Sequence, residues 1–218
     1  MTAPLAPTLL RVIDQLLPEL IDFRRDLHAH PEISFQEHRT TARLRERLEA
    51  AGLEPRSLSE TGLVVDLGAS EPRRRVALRG DIDALPVRER SGLDWTSTND
   101  GVCHACGHDV HTTALLGAGL ALAEVADELA ARHVGVRLIF QPAEEQMPGG
   151  ALSFVKAGVM AGVDTVYAVH CDPSLDVGEI GLREGPLTAA ADQVTVTLRG
   201  RGGHTSRPFL TEDLTYAL

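Results

Sequence analysis

Nine residues from Cys103 to His111, Cys-His-Ala-Cys-Gly-His-Asp-Val-His, hold three of the nine histidines and two of the three cysteines. That concentration points to thiol or metal chemistry, and three readings compete. A structural zinc site wants four closed ligands, and no second cysteine pair follows at finger spacing. A redox Cys-x-x-Cys wants thioredoxin-like flanks, which are absent. A catalytic metal site remains, with Cys106 and His108 two positions apart, so that alternate side chains of an extended segment point the same way. Cys106 and His108 are favoured as ligands, while His104 and His111 read equally well as polar loop residues.

Other polar clusters follow short apolar runs. Gln141-Pro-Ala-Glu144-Glu145 comes directly after Val134–Phe140. Adjacent carboxylates there are costly unless exposed or bound to a cation. In open α/β sheets this end of the strands is where ligands bind. One carboxylate of the pair suits metal ligation, and the other suits general-base work on a water. His170 holds the corresponding place after Tyr-Ala-Val. Asp81-Ile-Asp83 follows Val-Ala-Leu-Arg, and its spacing of two predicts both carboxylates on one face. Asp83 is expected to orient an imidazole ligand. Gly200-Arg-Gly-Gly-His204 presents a further histidine, without the Gly-Lys-Ser/Thr ending of a phosphate loop. There is no Gly-x-Ser-x-Gly elbow and no His-Glu-x-x-His helix.

The elements that must position these residues are legible in outline. Pro18 is expected in the first turn of a helix running to about His28. Ser34-Phe-Gln-Glu37 reads as a capping box opening a helix that Gly52 closes. Residues 62–68, 75–79, 134–140 and 165–169 read as strands, and residues 110–131 and 150–157 as helices. Strands alternating with helices predict a sheet covered on both faces. A further short strand is expected at 178–182. Residues 193–199 alternate apolar and polar, the pattern of a strand with one wet face. They suggest a second unit starting near Leu187, with a helix beginning at Thr211.

Composition narrows the class. The chain has 218 residues, 21 basic and 31 acidic, for a net charge of −10. A phosphate backbone would repel it, so nucleic acid is not expected as a partner. The longest apolar stretch, 114–123, is too short to span a bilayer, and no membrane partner is expected. No signal peptide is apparent, and an odd number of cysteines fits a reducing compartment, so the cytoplasm is the expected location.

In the order of these motifs the sequence resembles the M20 metallopeptidases, in the branch of hippurate hydrolases, N-acyl-amino-acid amidohydrolases and indoleacetyl-amino-acid hydrolases. The matching segments are Arg-Arg-Asp-Leu-His-Ala-His-Pro-Glu (24–32), Leu-Arg-Gly-Asp-Ile-Asp-Ala-Leu-Pro (78–86), His-Ala-Cys-Gly-His-Asp-Val-His-Thr (104–112), Phe-Gln-Pro-Ala-Glu-Glu (140–145), Ala-Val-His (168–170) and Gly-Gly-His (202–204). The resemblance implies an α/β fold. The N-terminal part of a three-layer α/β/α zinc-exopeptidase-like catalytic domain would cover residues 1–186, and the beginning of an α+β lid and dimerisation domain residues 187–218. It implies two divalent metal ions, zinc or manganese, with Cys106, His108, Glu145 and His170 as ligands and Glu144 as catalytic base. His204 would help bind substrate, in the partner subunit's site of a homodimer formed through the lid. The implied substrate is a small N-acyl amino acid. Two departures stand out. Family chains run considerably longer and supply a further metal-binding histidine, so the 218-residue chain is expected to be weak or inactive alone. Phe209 stands where close relatives often carry a histidine. A rival reading, a non-catalytic metal-binding or interaction module, predicts metal uptake without hydrolysis.

Overall fold

A computed structural model describes residues 4–186, 194–204, 206–214 and 216. Its strands are β1 (Leu63–Gly68), β2 (Arg74–Asp81), β3 (Val134–Gln141) and β4 (Thr165–Ala168). They form one sheet in the order β1-β3-β2-β4. β1 runs antiparallel to β3, whereas β3, β2 and β4 are mutually parallel. In register, Asp81 of β2 pairs with Gln141 of β3, and Arg79 pairs with Ala168 of β4. The three parallel strands therefore end at nearly one level, and the segments that follow them leave the sheet from one edge.

The strand residues alternate between two cores, as a period of two requires. Leu63, Val65 and Leu67 of β1 and Val136, Leu138 and Phe140 of β3 enter the larger cluster; Val64, Ala77 and Ile139 enter the smaller one with Phe154 and Val159. Helices α1 (Ala6–Ala29), α2 (His38–Glu49) and α3 (His108–Ala123) supply the larger core, and α5 (Gly150–Lys156) covers the opposite face. This is the three-layer arrangement expected from the alternation of elements. The middle helix α3 is apolar almost all round because it lies between the sheet and α1. Two glycines allow the close approach: a Cβ at Gly117 would stand 2.8 Å from Leu20 Cδ1, and one at Gly119 would stand 2.4 Å from Leu138 Cδ1.

Several local expectations give way. α1 starts twelve residues before Pro18, and it is Pro7 that occupies the first turn. The capping box does not form. The Ser34 hydroxyl donates to Asp83 (2.6 Å), and the Glu37 carboxylate accepts from Thr61 and from the Ala143 N–H. The free N–H groups of α2 are met by Glu32, whose two oxygens each accept at 2.8 Å from Arg39 and Thr40. Gly52 does follow the helix in the left-handed region, at φ +75. The long helix expected over 110–131 is two helices, α3 and α4 (Ala126–Ala131), broken at Glu124 and Val125.

The chain divides into two compact units, Met1–Asp176 and Val177–Leu218. Leu187 and Gln193 lie outside the described residues. Residues 178–182 and 194–199 form no strand, and the described residues of 211–218 form no helix; a 3₁₀ turn at Pro208–Leu210 precedes them. A strand is stable only with ladder partners, and none pairs with these segments among the described residues. Among the described residues no helix is long and apolar enough to cross a membrane.

Two predictions follow from the sheet. Gly62 sits at φ +79, and a Cβ there would meet Pro142 Cδ at 2.5 Å and the Phe140 carbonyl oxygen at 2.7 Å. Gly62→Ala should destabilise unit one by about 2–4 kcal/mol, the sum of a left-handed penalty and overpacking, read by denaturant unfolding. Burial raises the Asp66 pKa, but hydrogen bonds and charge from Arg137, with help from Arg56 and Arg75, bring it below the usual carboxylate value. A depressed folded pKa gives stability that is present above the unfolded value and lost as pH falls through the folded one. The stability gap between wild type and Arg137→Met should therefore narrow below about pH 4, in unfolding curves taken at several pH values.

Candidate metal centre

The edge where β2, β3 and β4 end gathers the chemistry-bearing side chains. Asp81 closes β2 and Asp83 follows it; Glu144 and Glu145 lie just past β3; His170 lies just past β4. Opposite them begins α3, with His108 as its first residue and Gly107 (φ +82) before it. Cys106 and His108 thus share a face through a left-handed turn at glycine, not through the extended segment expected from their spacing.

Hydrogen bonds fix the imidazole tautomers. His108 Nδ1 donates to the Asp83 backbone oxygen at 2.9 Å, with the Asp83 carboxylate at 3.3 Å. His170 Nδ1 donates to the Cys171 carbonyl at 2.7 Å. A carbonyl oxygen can only accept, so both rings carry a proton on Nδ1 and present Nε2 to the cluster. His170 Nε2 lies 3.4 Å from Cys106 Sγ. His108 Nε2 is buried without a hydrogen-bond partner, and so is Glu145 Oε1, 3.8 Å away. Glu144 Oε2 lies 3.9 Å and Asp81 Oδ1 3.7 Å from the same nitrogen. Carboxylate oxygens at these distances favour positive charge at this nitrogen, whether a proton or a bound cation.

The electrostatics agree. Burial lowers the His108 pKa, yet Asp83, Asp81 and Glu145 raise it more, for a net upward shift. Burial pushes the Cys106 thiol up to about 12, helped by Glu145, Glu144 and Asp81. Burial also raises Glu145 above the usual value, although His108 and Cys106 oppose that. The cluster favours positive charge at its centre, and the donors are a sulfur, two imidazole nitrogens and carboxylate oxygens. Cys106–His108–His170 and His108–Glu144–Glu145 each place their donor atoms within 4.8 Å of one another. This set fits divalent metal ions, and the Cys106 thiol would ionise on binding one.

Asp83 and Glu37 support the donors. Asp83 Oδ2 accepts from Ser34 (2.6 Å) and from the Glu145 N–H (3.0 Å). Burial raises its pKa, but His108, Ser34 and the backbone N–H groups lower it overall. Glu37, wholly buried, accepts at 2.7 Å from the Ala143 N–H, in the turn that carries Glu144 and Glu145. His204 lies in the second unit, where its Nδ1 meets the Ser206 hydroxyl at 2.8 Å.

Sequence reasoning left His111 open and gave Asp81 no role of its own. Both are buried at the cluster, with His111 Nδ1 2.7 Å from Asp81 Oδ1. Burial raises Asp81, but His111 and Arg79 bring it to about 2. The signal was present: His111 stands three residues after His108, one helical turn on. His104 goes elsewhere, buried beside His28, and burial lowers its pKa to about 4.

Fold and donor set together define the class, an α/β protein with a candidate metal centre at the carboxyl ends of parallel strands. The chain belongs to peptidase family M20/M25/M40, whose family model matches residues 77–217. It is 42% identical over 204 residues to an N-acyl-L-amino acid amidohydrolase of Geobacillus stearothermophilus, covering 93% of this chain and 54% of that protein. A Rhodococcus jostii protein named for glutamate–cysteine ligase is 50% identical over 200 residues, 91% of this chain but 24% of that protein. Among solved structures, a dinuclear metal-binding M20 peptidase of Bacillus subtilis superposes with a TM-score of 0.74 at 43% identity, covering 80% of this chain and 48% of that one. The chain thus spans between a quarter and about half of the length of these three relatives.

Removing the Glu37 carboxylate should leave the Thr61 hydroxyl and the Ala143 N–H unpaired in the interior. Glu37→Ala is expected to cost about 2–5 kcal/mol, and Glu37→Gln, which keeps an acceptor for Ala143, less than half of that, measured by chemical denaturation.

Proposed function

We propose that the full-length protein is a metal-dependent amidohydrolase that cleaves small N-acyl amino acids, with Cys106, His108, Glu145 and His170 holding two divalent ions. Those ions, when bound, supply Lewis-acid polarisation of the amide carbonyl and of water. The observation that carries this reading is the asymmetry of the carboxylate pair. The Glu145 side chain is 21% exposed, with a buried oxygen facing His108, whereas the neighbouring Glu144 side chain is 42% exposed on the same turn. Glu145 is the ligand. Glu144 opens toward solvent, accepts a proton from the attacking water and returns it to the departing amine. Asp83 holds His108 through Nδ1 and the Glu144–Glu145 turn through the Glu145 N–H, so both act from a fixed frame.

The amidohydrolase name of the Geobacillus relative supports the substrate class. A thiolate donor suits zinc, while imidazole and carboxylate donors also admit manganese. His204 contacts substrate and stabilises the developing oxyanion from the partner subunit of a homodimer built through the lid. The proposed lid begins at residue 187, past the break between the two compact units at Asp176 and Val177. The location is the cytoplasm.

The test uses the full-length protein with N-acetyl and N-benzoyl amino acids. Glu144→Gln should keep its metal content and lose at least about 10²-fold in turnover. A chelator should abolish activity, and added zinc or manganese should restore it. Undiminished turnover in Glu144→Gln would remove the base assignment, and metal uptake without hydrolysis in the wild type would favour a non-catalytic module.

A further inference from the structure

His170 arrives at the centre with little support of its own. It follows the shortest strand, four residues at the sheet edge, most of them exposed. Yet its ring is held within 3.4 Å of Cys106 Sγ. Something other than β4 must place it.

The hydrogen bonds lead to His111. Arg79 donates to Asp81 Oδ2 at 2.6 Å, and Asp81 Oδ1 accepts from His111 Nδ1 at 2.7 Å. His111 Nε2 then accepts the Cys171 N–H at 2.8 Å. The carbonyl of the same Cys171 accepts from His170 Nδ1 and turns the His170 Nε2 toward Cys106. One residue, Cys171, is thus anchored through its N–H and orients the histidine through its C=O. A second contact seats it. Cys171 packs on Gly107, where a Cβ would stand 3.1 Å from both Cys171 Cβ and Sγ, and Gly107 adjoins Cys106. His111 lies in a candidate metal-holding group with Asp81 and His108. Both of its ring nitrogens are already engaged, so as a ligand it would have to release the Cys171 N–H. It is better used as it stands.

We propose that His111 is a positioning residue: a clamp, fixed by Asp81, that holds the Cys171 N–H and thereby sets His170 against Cys106 and His108. The proposal rests on the reading of Cys106, His108 and His170 as metal donors. It assigns His111 no contact with substrate or metal. The clamp acts beyond the last paired residues of β2 and the edge strand β4, joining the start of α3 to the segment after β4. That gives an exposed strand end the fixed geometry a metal ligand needs.

The experiment is a Co²⁺ titration of the metal-free full-length protein, followed by the thiolate-to-cobalt absorption expected of Cys106 ligation, with Cys171→Ser excluding the exposed thiol beside it. Four variants accompany the wild type. His111→Leu removes the acceptor at similar volume, and His111→Gln keeps one. Cys171→Pro deletes the N–H from an exposed position, and Cys171→Ser keeps the N–H while removing the thiol. His111→Leu and Cys171→Pro should bind Co²⁺ about tenfold or more weakly, with a diminished thiolate band, as loss of a group supporting a ligand does. His111→Gln and Cys171→Ser should stay near wild type. If His111→Leu does not fold, Cys171→Pro decides alone. Unchanged affinity and absorption in Cys171→Pro, with wild-type binding intact, would overturn the clamp. Absence of Co²⁺ binding in the wild type would instead overturn the donor set, and the clamp with it.

Discussion

The hydrogen bonding of one carboxylate, Asp83, underlies the candidate centre. Its backbone oxygen and Oδ1 take the Nδ1 side of His108, while its Oδ2 accepts from Ser34 and from the Glu145 N–H. Three segments distant in sequence meet on this residue: the loop before α2, the start of α3 and the turn after β3. The orientation of the His108 ring follows from it, and so does the presentation of its Nε2 to the carboxylates. A donor set needs geometry held to a fraction of an ångström, and this is done by a charged acceptor that itself sits at 1% exposure, shielded from water. Burial makes its hydrogen bonds strong and makes their loss costly.

The packing serves the same end. Parallel pairing of β2, β3 and β4 brings their last residues into register, so Asp81, the Glu144–Glu145 turn and His170 leave the sheet at one edge. α3 lies directly over the sheet with its N-terminus at that edge. Gly117 and Gly119 let it sit between α1 and Leu138. Larger residues there would lift the helix and move His108 and His111 together away from the strand ends. The apolar core and the polar centre are therefore coupled through α3.

Much of this was legible in the sequence, and the failures have physical causes. Strand cores such as Val-Ala-Leu and Val-Arg-Leu-Ile-Phe read correctly because alternating burial between two clusters leaves an apolar run. Cys106, His108, Glu144, Glu145 and His170 stood out because their types are costly at strand ends and loops. Ser34 and Glu37 were misread as a capping box because their local pattern is that of a cap. Tertiary demand took both side chains, Ser34 for Asp83 and Glu37 for Ala143, and a more distant Glu32 capped the helix. His111 stayed ambiguous because a histidine one turn into a helix looks the same whether it faces solvent or a buried aspartate. The alternating residues of 194–199 carry a strand pattern, but a pattern needs a neighbour to become a strand.

The chain's treatment of its own negative charge argues for a cation at the centre. Asp66 is met by Arg137 and Arg56, Asp26 by Arg39, Asp109 by Arg24 and His28, and Asp81 by Arg79. Each of these half-buried or buried carboxylates has an arginine at 2.7 Å or closer. Glu37 has none, but neutral donors satisfy it, and burial raises its pKa accordingly. Asp83, Glu144 and Glu145 differ: among the described residues their only ion-pair partner is His108, at 3.3 to 3.9 Å. A sequence that sets a guanidinium against Asp26, Asp66, Asp81 and Asp109, and withholds one where three acids, a thiol and two imidazoles converge, leaves room for positive charge from outside the chain. An arginine in that space would satisfy the carboxylates as well, but it would fill the volume and occupy the lone pairs that a divalent ion needs.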